Sequence, residues 1–527
     1  MTGGAPDLLR GAAVQSARRL RSPLPADFDV VVVGSGAGGA MLAKEASGAG
    51  LRVLVLEEGG HHGPADFTQR EGDMLPRLFF DGGGRTTDDG GVAILHGRCV
   101  GGGTVHNTNL CKRAPDAVLR RWVAEHGAAG WSPEELAADY AAVEAELGVV
   151  PLGEDDVNRN NAIMRRGVER LGWRGGLLAH NRHGCLRSGF CELGCAYDAK
   201  QNALKVLLPQ ALRAGAQVVA DAQVTRIEHD GVRARGVRAR VIREDGSHGD
   251  ELVVRARAVA VCGGAVQSPA LLVRSEVPDP HRTIGRSLHL HPGLAVAGRF
   301  DPPHEPIEAW RGIPQSYECT EKLSFEPGAQ DRCWLIPAFA HPGGFAGMMP
   351  GFGAAHAQRM RAYPRTAVVA AMLHDETRGE VRVDRRGRPQ LRYVPSADDA
   401  RALLRGAHAA AEILLAAGAS EVMVPLVQPL LARRVSELMP LLAHRFRPLD
   451  PLLTSVHQMS SVPLGGDPRR AAVDPQGRSH SLRGLYVADG SVFPTSLGGP
   501  PQISIYTVGR RVARALVADL RAAGGGA

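Results

Sequence analysis

An α/β fold built around a Rossmann-like nucleotide unit is the architecture this sequence predicts, on three observations. A short Val-rich run, 28–33, leads into Gly34, Gly36 and Gly39 and then into an Ala-rich stretch, 40–50. A second apolar run, 51–56, ends in Glu57. Further along, strand-like alternation and helix-like periodicity both recur. The opening pattern is strand, glycine turn, helix, and strand with a terminal acid. In such a turn the first glycine makes the tight bend, the second lets the backbone approach a diphosphate, and the third lets the helix pack on the strand. Unpaired N–H groups and the positive dipole end at the helix start then hold the diphosphate. Glu57 lies where a carboxylate accepts both ribose hydroxyls of a dinucleotide, FAD or NAD.

The remaining elements follow from local signals. Residues 59–103 are polar, dense in glycine and irregular, as in segments that wrap a ligand. A helix over 133–147 is marked by Ser132 as N-cap, Pro133 in the first turn, Glu135 completing a capping box and Gly148 as the stop. Residues 232–262 alternate small or apolar side chains with Arg around a polar turn at 244–250, a hairpin leading into a buried strand at 258–261. A second hairpin turns at 385–387, and a helix over 397–417 is capped by Ser396 and stopped by Gly418.

Composition excludes several classes. With 527 residues, 44% hydrophobic and 22% charged, the chain has material for a large core and is too apolar for disorder. Neither a membrane-spanning run nor a secretory apolar region near the N-terminus is found, so a cytoplasmic protein without a transmembrane segment is expected. The net charge of +7 comes from Arg scattered through every segment rather than clustered on one face, which argues against a nucleic-acid partner. Eight Cys are too few for a disulfide scaffold and are expected as thiols, structural or metal-binding.

Four blocks give the chain a family resemblance. Residues 97–107, GRCVGGGTVHN, resemble the flavin-contacting loop of the glucose-methanol-choline (GMC) oxidoreductases, and especially its cholesterol oxidase version. Residues 264–275, GAVQSPALLVRS, are similar to the second family signature, with Glu276 where that pattern has Gly. His457-Gln-Met, 465–468 (GGDP), 485–494 (LYVADGSVFP) and 501–505 (PQISI) look like the C-terminal block. With the glycine turn these blocks stand in the family's order. The resemblance implies an FAD-binding Rossmann-like domain assembled from discontinuous segments, 24–130, 200–295 and 451–522. It also implies an α+β substrate domain with an antiparallel sheet, 296–450, and a helical, Cys-rich segment at 131–199 serving as a cap or as part of the substrate domain. Gly34, Gly36, Gly39 and Glu57 would hold the ADP half of FAD. Gly101, Gly102, His106 and Asn107 would lie along the flavin, Val224 at the adenine end, Asp489 near the ribityl and diphosphate, and Pro501 at the close of the cofactor site.

The same resemblance places His457 at the family's active-site histidine, the general base for a CH–OH group whose hydride goes to flavin N5. The family's second His or Asn is replaced here by Pro500, whose ring offers no hydrogen bond. Help for His457 must then come from elsewhere, with His291, His480 and Ser496 as candidates, or the chemistry is a non-oxidative lyase reaction on the same fold. His106 stands where some members attach FAD covalently; the alternative is a ring packed near the flavin edge. Cys185, Cys191 and Cys195, spaced C-x5-C-x3-C, resemble a 3Fe-4S site of some family dehydrogenases, and equally structural thiols, a disulfide or zinc ligands. A cluster would imply a multi-subunit dehydrogenase. The expected substrate is a sizeable apolar or sterol-like alcohol, with residues 424–442 at its entrance or in ordinary core, and oxygen, a quinone or a cytochrome as electron acceptor.

Overall fold

The computed structural model describes residues 13–20, 27–338, 340–447 and 449–524. Most of the N-terminal stretch read for an export signal, and the first residues of the expected cofactor domain, lie outside them.

Two sheets organise the chain. The first runs Gln15–Ser16, Gln217–Ala220, Val53–Leu56, Asp27–Val33, His248–Val261, Ala234–Ile242, Ala222–His229, with Leu485–Val487 also paired to His248–Val261. Its centre is parallel, and the hairpin 234–261 extends it antiparallel at one edge. Val30, Val31, Val32, Leu54 and Val55 are fully buried. Continuous β-branched and Leu runs suit strands covered on both faces, the usual condition of a parallel sheet. The first helix, Ala37–Gly48, begins three residues earlier than the Ala-rich stretch suggested, because Gly36 is its N-cap and the third glycine already lies inside its first turn.

The second sheet is the antiparallel one the family resemblance implied. Its order is Leu430–Ala432, Glu421–Val424, Gly293–Arg299, Thr366–Leu373, Cys333–Pro337, Tyr317–Cys319, Gly175–Leu177. The helix Ala397–Ala416, capped by Ser396 as its sequence demands, buries Leu403, Ala407, Ala410 and Leu414 against it. Strands from outside 296–450 also belong to this sheet: Gly175–Leu177 at one end, and Leu453–Ser455, which pairs with Gly293–Arg299 and, in parallel, with Val92–Ile94. Val92–Ile94, with a helix at Glu71–Leu78, gives order to a region that looked irregular in sequence. Ser132 and Glu135 form the expected capping box of the helix Pro133–Glu146. Among the described residues no helix is long and apolar enough to cross a membrane.

Candidate active site

The three glycines of the turn sit in three different surroundings. Gly34 has φ +98°, and a Cβ there would lie 2.5 Å from the Cys262 carbonyl oxygen. A Cβ on Gly39 would lie 2.0 Å from the Gly34 carbonyl oxygen, so the third glycine is set by helix-to-turn packing. Gly36 differs: a Cβ there would meet only the Gly102 Cα, at 3.9 Å. Its open side, and the first N–H groups of Ala37–Gly48 with no side-chain cap, form a backbone cradle for an anion. Gly38 was not singled out in the sequence, yet its Cβ would fall 1.8 Å from the Ala488 carbonyl oxygen.

The other expected cofactor residues gather around this turn. Gly102 meets it directly, since a Cβ on Gly102 would lie 2.8 Å from the Gly36 Cα, and the Gly101 N–H donates to Ser35 Oγ at 2.9 Å. Glu57 is turned inward: its carboxylate accepts from Ser35 N–H (3.0 Å), Ser35 Oγ (2.7 Å) and Gly59 N–H (2.8 Å), while burial pushes its carboxyl up. Of about four acceptor positions on a carboxylate, three are thus taken by the loop. The expected contact with both ribose hydroxyls therefore competes with bonds that shape the turn. Asp489 accepts from Ser268 Oγ (2.5 Å), Gly264 N–H (2.8 Å) and Ser491 N–H (2.8 Å), fastening the second signature to the C-terminal block. Asn107 donates to Gln502 Oε1 at 2.9 Å, just beyond the buried Pro501. Val224 is buried in Ala222–His229, opposite Ala239.

A cradle that a single methyl group would narrow, with backbone donors at a helix start and a carboxylate beside it, fits an FAD. Gly36, Gly101, Gly102, Glu57 and Asp489 are the groups that would hold it.

His106 is buried, its ring centroid 4.0 Å from that of Phe79. Its Nε2 abuts Gly97, where a Cβ would lie 2.5 Å away, and has no hydrogen-bond partner. Burial lowers its pKa to about 3. Beneath this loop the buried Lys200 Nζ donates to the carbonyls of Val105 (2.9 Å), Asn107 (2.5 Å) and Cys191 (2.9 Å). Sequence reading missed this anchor, because only the fold brings residue 200 under residues 105–107. Cys185, Cys191 and Cys195 line one small cavity beside it, with all three thiols free. They form no group of donors able to hold a metal ion among the described residues. Of the readings open for this run, free thiols describe what the structure shows, and nothing in the described residues supports a 3Fe-4S or zinc site. Cys195 Sγ accepts the Ala199 N–H, and Cys185 Sγ the Arg187 N–H, each closing a local turn.

His457 follows the strand Leu453–Ser455, and His291 precedes the neighbouring strand Gly293–Arg299; Gly293 pairs with Thr454. The two imidazoles meet, Nδ1 to Nδ1 at 2.8 Å, with nearly parallel rings. His457 keeps part of its ring exposed, and among the described residues no protein group bonds its Nε2. Burial, reinforced by His291, holds its pKa well below the ordinary imidazole range. His291 is fully enclosed, and burial lowers it to about 4. Of the three residues considered as stand-ins at Pro500, His291 is the one bonded to His457. His480 bonds the Gly465 carbonyl, and the Ser496 carbonyl faces His374.

Asp375, also unsuspected from sequence, holds the segment carrying His291. Its carboxylate accepts from Leu290 N–H (2.9 Å), His291 N–H (3.1 Å) and Tyr393 Oη (2.8 Å). Burial raises this carboxyl, and the His289 ring and the Leu290 N–H outweigh that, leaving it below the usual carboxylate range.

Comparison with known proteins shows the family and the fold. Residues 75–293 and 375–509 match the two family models described as GMC oxidoreductase, and residues 29–68 match an FAD binding domain. An uncharacterised GMC-type oxidoreductase of Mycobacterium tuberculosis is 36% identical over 504 residues, 95% of this chain and 77% of that protein. A long-chain-alcohol oxidase of Arabidopsis thaliana is 29% identical, across 93% of this chain and 68% of its own length. Among solved structures, pyridoxine 4-oxidase from Mesorbium loti aligns with TM-score 0.68 and 20% identity, covering 92% of this chain and 98% of the other. Formate oxidase of Aspergillus oryzae RIB40 aligns with TM-score 0.70 and 16% identity, covering 94% and 99%. At these identities the two structures speak for the fold alone.

Proposed function

This chain belongs to the GMC oxidoreductases and is an FAD-dependent enzyme, and on that premise we propose that it oxidises the CH–OH group of a sizeable apolar alcohol, with His457 as the base. FAD, when bound, supplies the acceptor for the hydride leaving the carbinol carbon. The chain supplies the rest. The Gly36 turn and the start of Ala37–Gly48 bind the diphosphate, with Glu57 at the ribose side and Asp489 keeping the second signature in place. His457 takes the hydroxyl proton at Nε2. Its depressed pKa keeps the ring neutral near pH 7, the charge state a base requires.

The observation that carries this reading is a partly buried imidazole, bonded at Nδ1 and with no protein partner at Nε2 among the described residues, just past the short strand Leu453–Ser455. An apolar substrate is supported by the names of several relatives. In residues 424–442, read as an entrance or as ordinary core, Leu426, Leu438 and Leu441 are core, while Val427, Leu431, Val435 and Met439 face solvent. Molecular oxygen is the acceptor we assign, since those relatives are named oxidases and the thiols of the Cys-rich loop do not converge on a cluster.

Anaerobic mixing of the holoenzyme with 1-dodecanol tests the proposal. Loss of the visible flavin band with formation of dodecanal, followed on admission of air by recovery of the band as oxygen is reduced to hydrogen peroxide, is the expected result. Turnover with an unchanged flavin spectrum would instead establish lyase chemistry.

A further inference from the structure

We propose that His291 is the positioning residue for His457: its Nδ1 accepts a hydrogen bond from His457 Nδ1–H, which fixes the tautomer that leaves the His457 Nε2 lone pair free for the substrate hydroxyl. This rests on the reading of His457 as the base, and assigns to His291 the support that Pro500 cannot give.

Two ring nitrogens 2.8 Å apart cannot both present lone pairs, so one of them carries the proton. If His291 were the donor, neutral His457 would hold its hydrogen on Nε2 and have no lone pair there to receive another. With His457 as donor, Nε2 is the free base, and the proton it takes leaves the Nδ1–H···Nδ1 bond intact. That bond becomes charge-assisted once His457 is an imidazolium, so it strengthens as the hydroxyl proton transfers.

The backbone enforces the contact. His289 and Met459 exchange reciprocal N–H to carbonyl bonds at 2.9 Å, tying together the two segments that end in His291 and His457. Ser455 Oγ donates to the Leu290 carbonyl at 2.5 Å, and Gln458 Nε2 donates back to the Ser455 carbonyl at 3.0 Å. His291 itself has φ +47°, a left-handed conformation uncommon for a residue with a Cβ. Asp375 holds it there through the N–H groups of Leu290 and His291. Backbone strain maintained by a fully buried carboxylate, so that one ring nitrogen meets another, is the pattern expected where orientation matters. That carboxylate is occupied by backbone N–H groups and Tyr393, and His291 Nε2 is buried without a protein partner among the described residues. As acceptor at Nδ1, His291 carries its hydrogen on that Nε2, a cost that the charge-assisted bond to His457 has to offset.

The test compares His291→Gly with His291→Asn in the FAD-loaded enzyme. Both residues tolerate φ > 0, and the Asn side-chain oxygen lies where Nδ1 was. With 1-dodecanol under anaerobic conditions, H291G should lower the limiting rate of flavin reduction about 10- to 100-fold with little change in the substrate concentration for half-saturation. H291N should regain most of that rate, and added imidazole should restore part of it to H291G. Equal impairment of H291N and H291G, with FAD content and thermal stability at the wild-type level, would overturn the proposal. Independently of turnover, nitrogen-15 NMR of histidine-labelled wild-type protein should show His457 protonated at Nδ1. An Nε2–H tautomer there would refute the inference even if the alcohol reaction proceeds. A correct tautomer with no flavin reduction by alcohols would leave this pairing standing and count against the proposed function.

Discussion

Substituting Gly36 and Gly38 in turn separates cofactor binding from folding. Both lie at the start of the first helix, yet their surroundings differ. At Gly36 an added methyl meets only the Gly102 Cα at 3.9 Å, an ordinary contact, so Gly36→Ala should fold and melt close to wild type. The methyl does occupy the open side of the cradle, displacing a diphosphate from one or two backbone donors. A hydrogen bond to a charged group is worth about 1.5–3 kcal/mol, and about 1.4 kcal/mol is tenfold in affinity. The FAD dissociation constant should therefore rise about 10-fold to about 10⁴-fold. At Gly38 the methyl would sit 1.8 Å from the Ala488 carbonyl oxygen, so helix and main chain must separate by about 1.6 Å to reach the 3.4 Å of ordinary contact. Overpacking of this kind costs about 1–3 kcal/mol or more. The assays are calorimetric melting of the apoprotein and fluorescence titration with FAD. Wild-type FAD affinity in G36A would refute the cradle, and a wild-type melting temperature in G38A would refute the helix packing.

Other consequences are as specific. His457→Ala should retain FAD and its visible spectrum while slowing anaerobic reduction by about 10²–10⁴-fold; a rate unchanged in stopped flow would remove His457 from the chemistry. Burial lowers His96, His106 and His180 to about 3, and His291 and His374 to about 4, from an ordinary value of 6.5. The folded protein thus binds fewer protons than the unfolded chain, so their contribution is complete above pH 6.5 and is lost as pH falls from there toward 4. Melting temperature measured against pH should decline across that window, and a flat profile would contradict it. Because Gly97 and Phe79 enclose His106 Nε2, acid precipitation should release the flavin into the supernatant, whereas a yellow pellet would demonstrate covalent attachment. Lys200→Met, which removes the three-carbonyl anchor beneath residues 105–107, should weaken FAD retention on gel filtration.

The parts of the fold that local chemistry dictates were legible in the sequence. The glycine spacing gave the strand–turn–helix unit, and Ser132 with Glu135, like Ser396, marked helix starts that the structure retains. The start of the first helix was placed late because glycine favours turns, and only packing against Gly34 and Ala488 shows that the motif's last residues are helical. The histidine centre divides in the same way. His457 was recognisable from the residues around it. Its partner lies 166 positions away, and Asp375 another 84 from that partner, separations at which only strand pairing decides who meets. Lys200 gave no signal, since a lone lysine in sequence looks like any solvated charge. The Cys-rich run left thiols and a metal site both open because its spacing is compatible with ligation, and the structure shows the loop directing two of its sulfurs to backbone N–H groups.

Anaerobic flavin reduction by 1-dodecanol carrying deuterium at both C1 positions, compared with the unlabelled alcohol, tests the central claim most directly. If hydride leaves the carbinol carbon while His457 holds the hydroxyl proton, the flavin band should fade several-fold more slowly with the labelled substrate. Fading at the same rate for both alcohols, or none with either, would contradict the account.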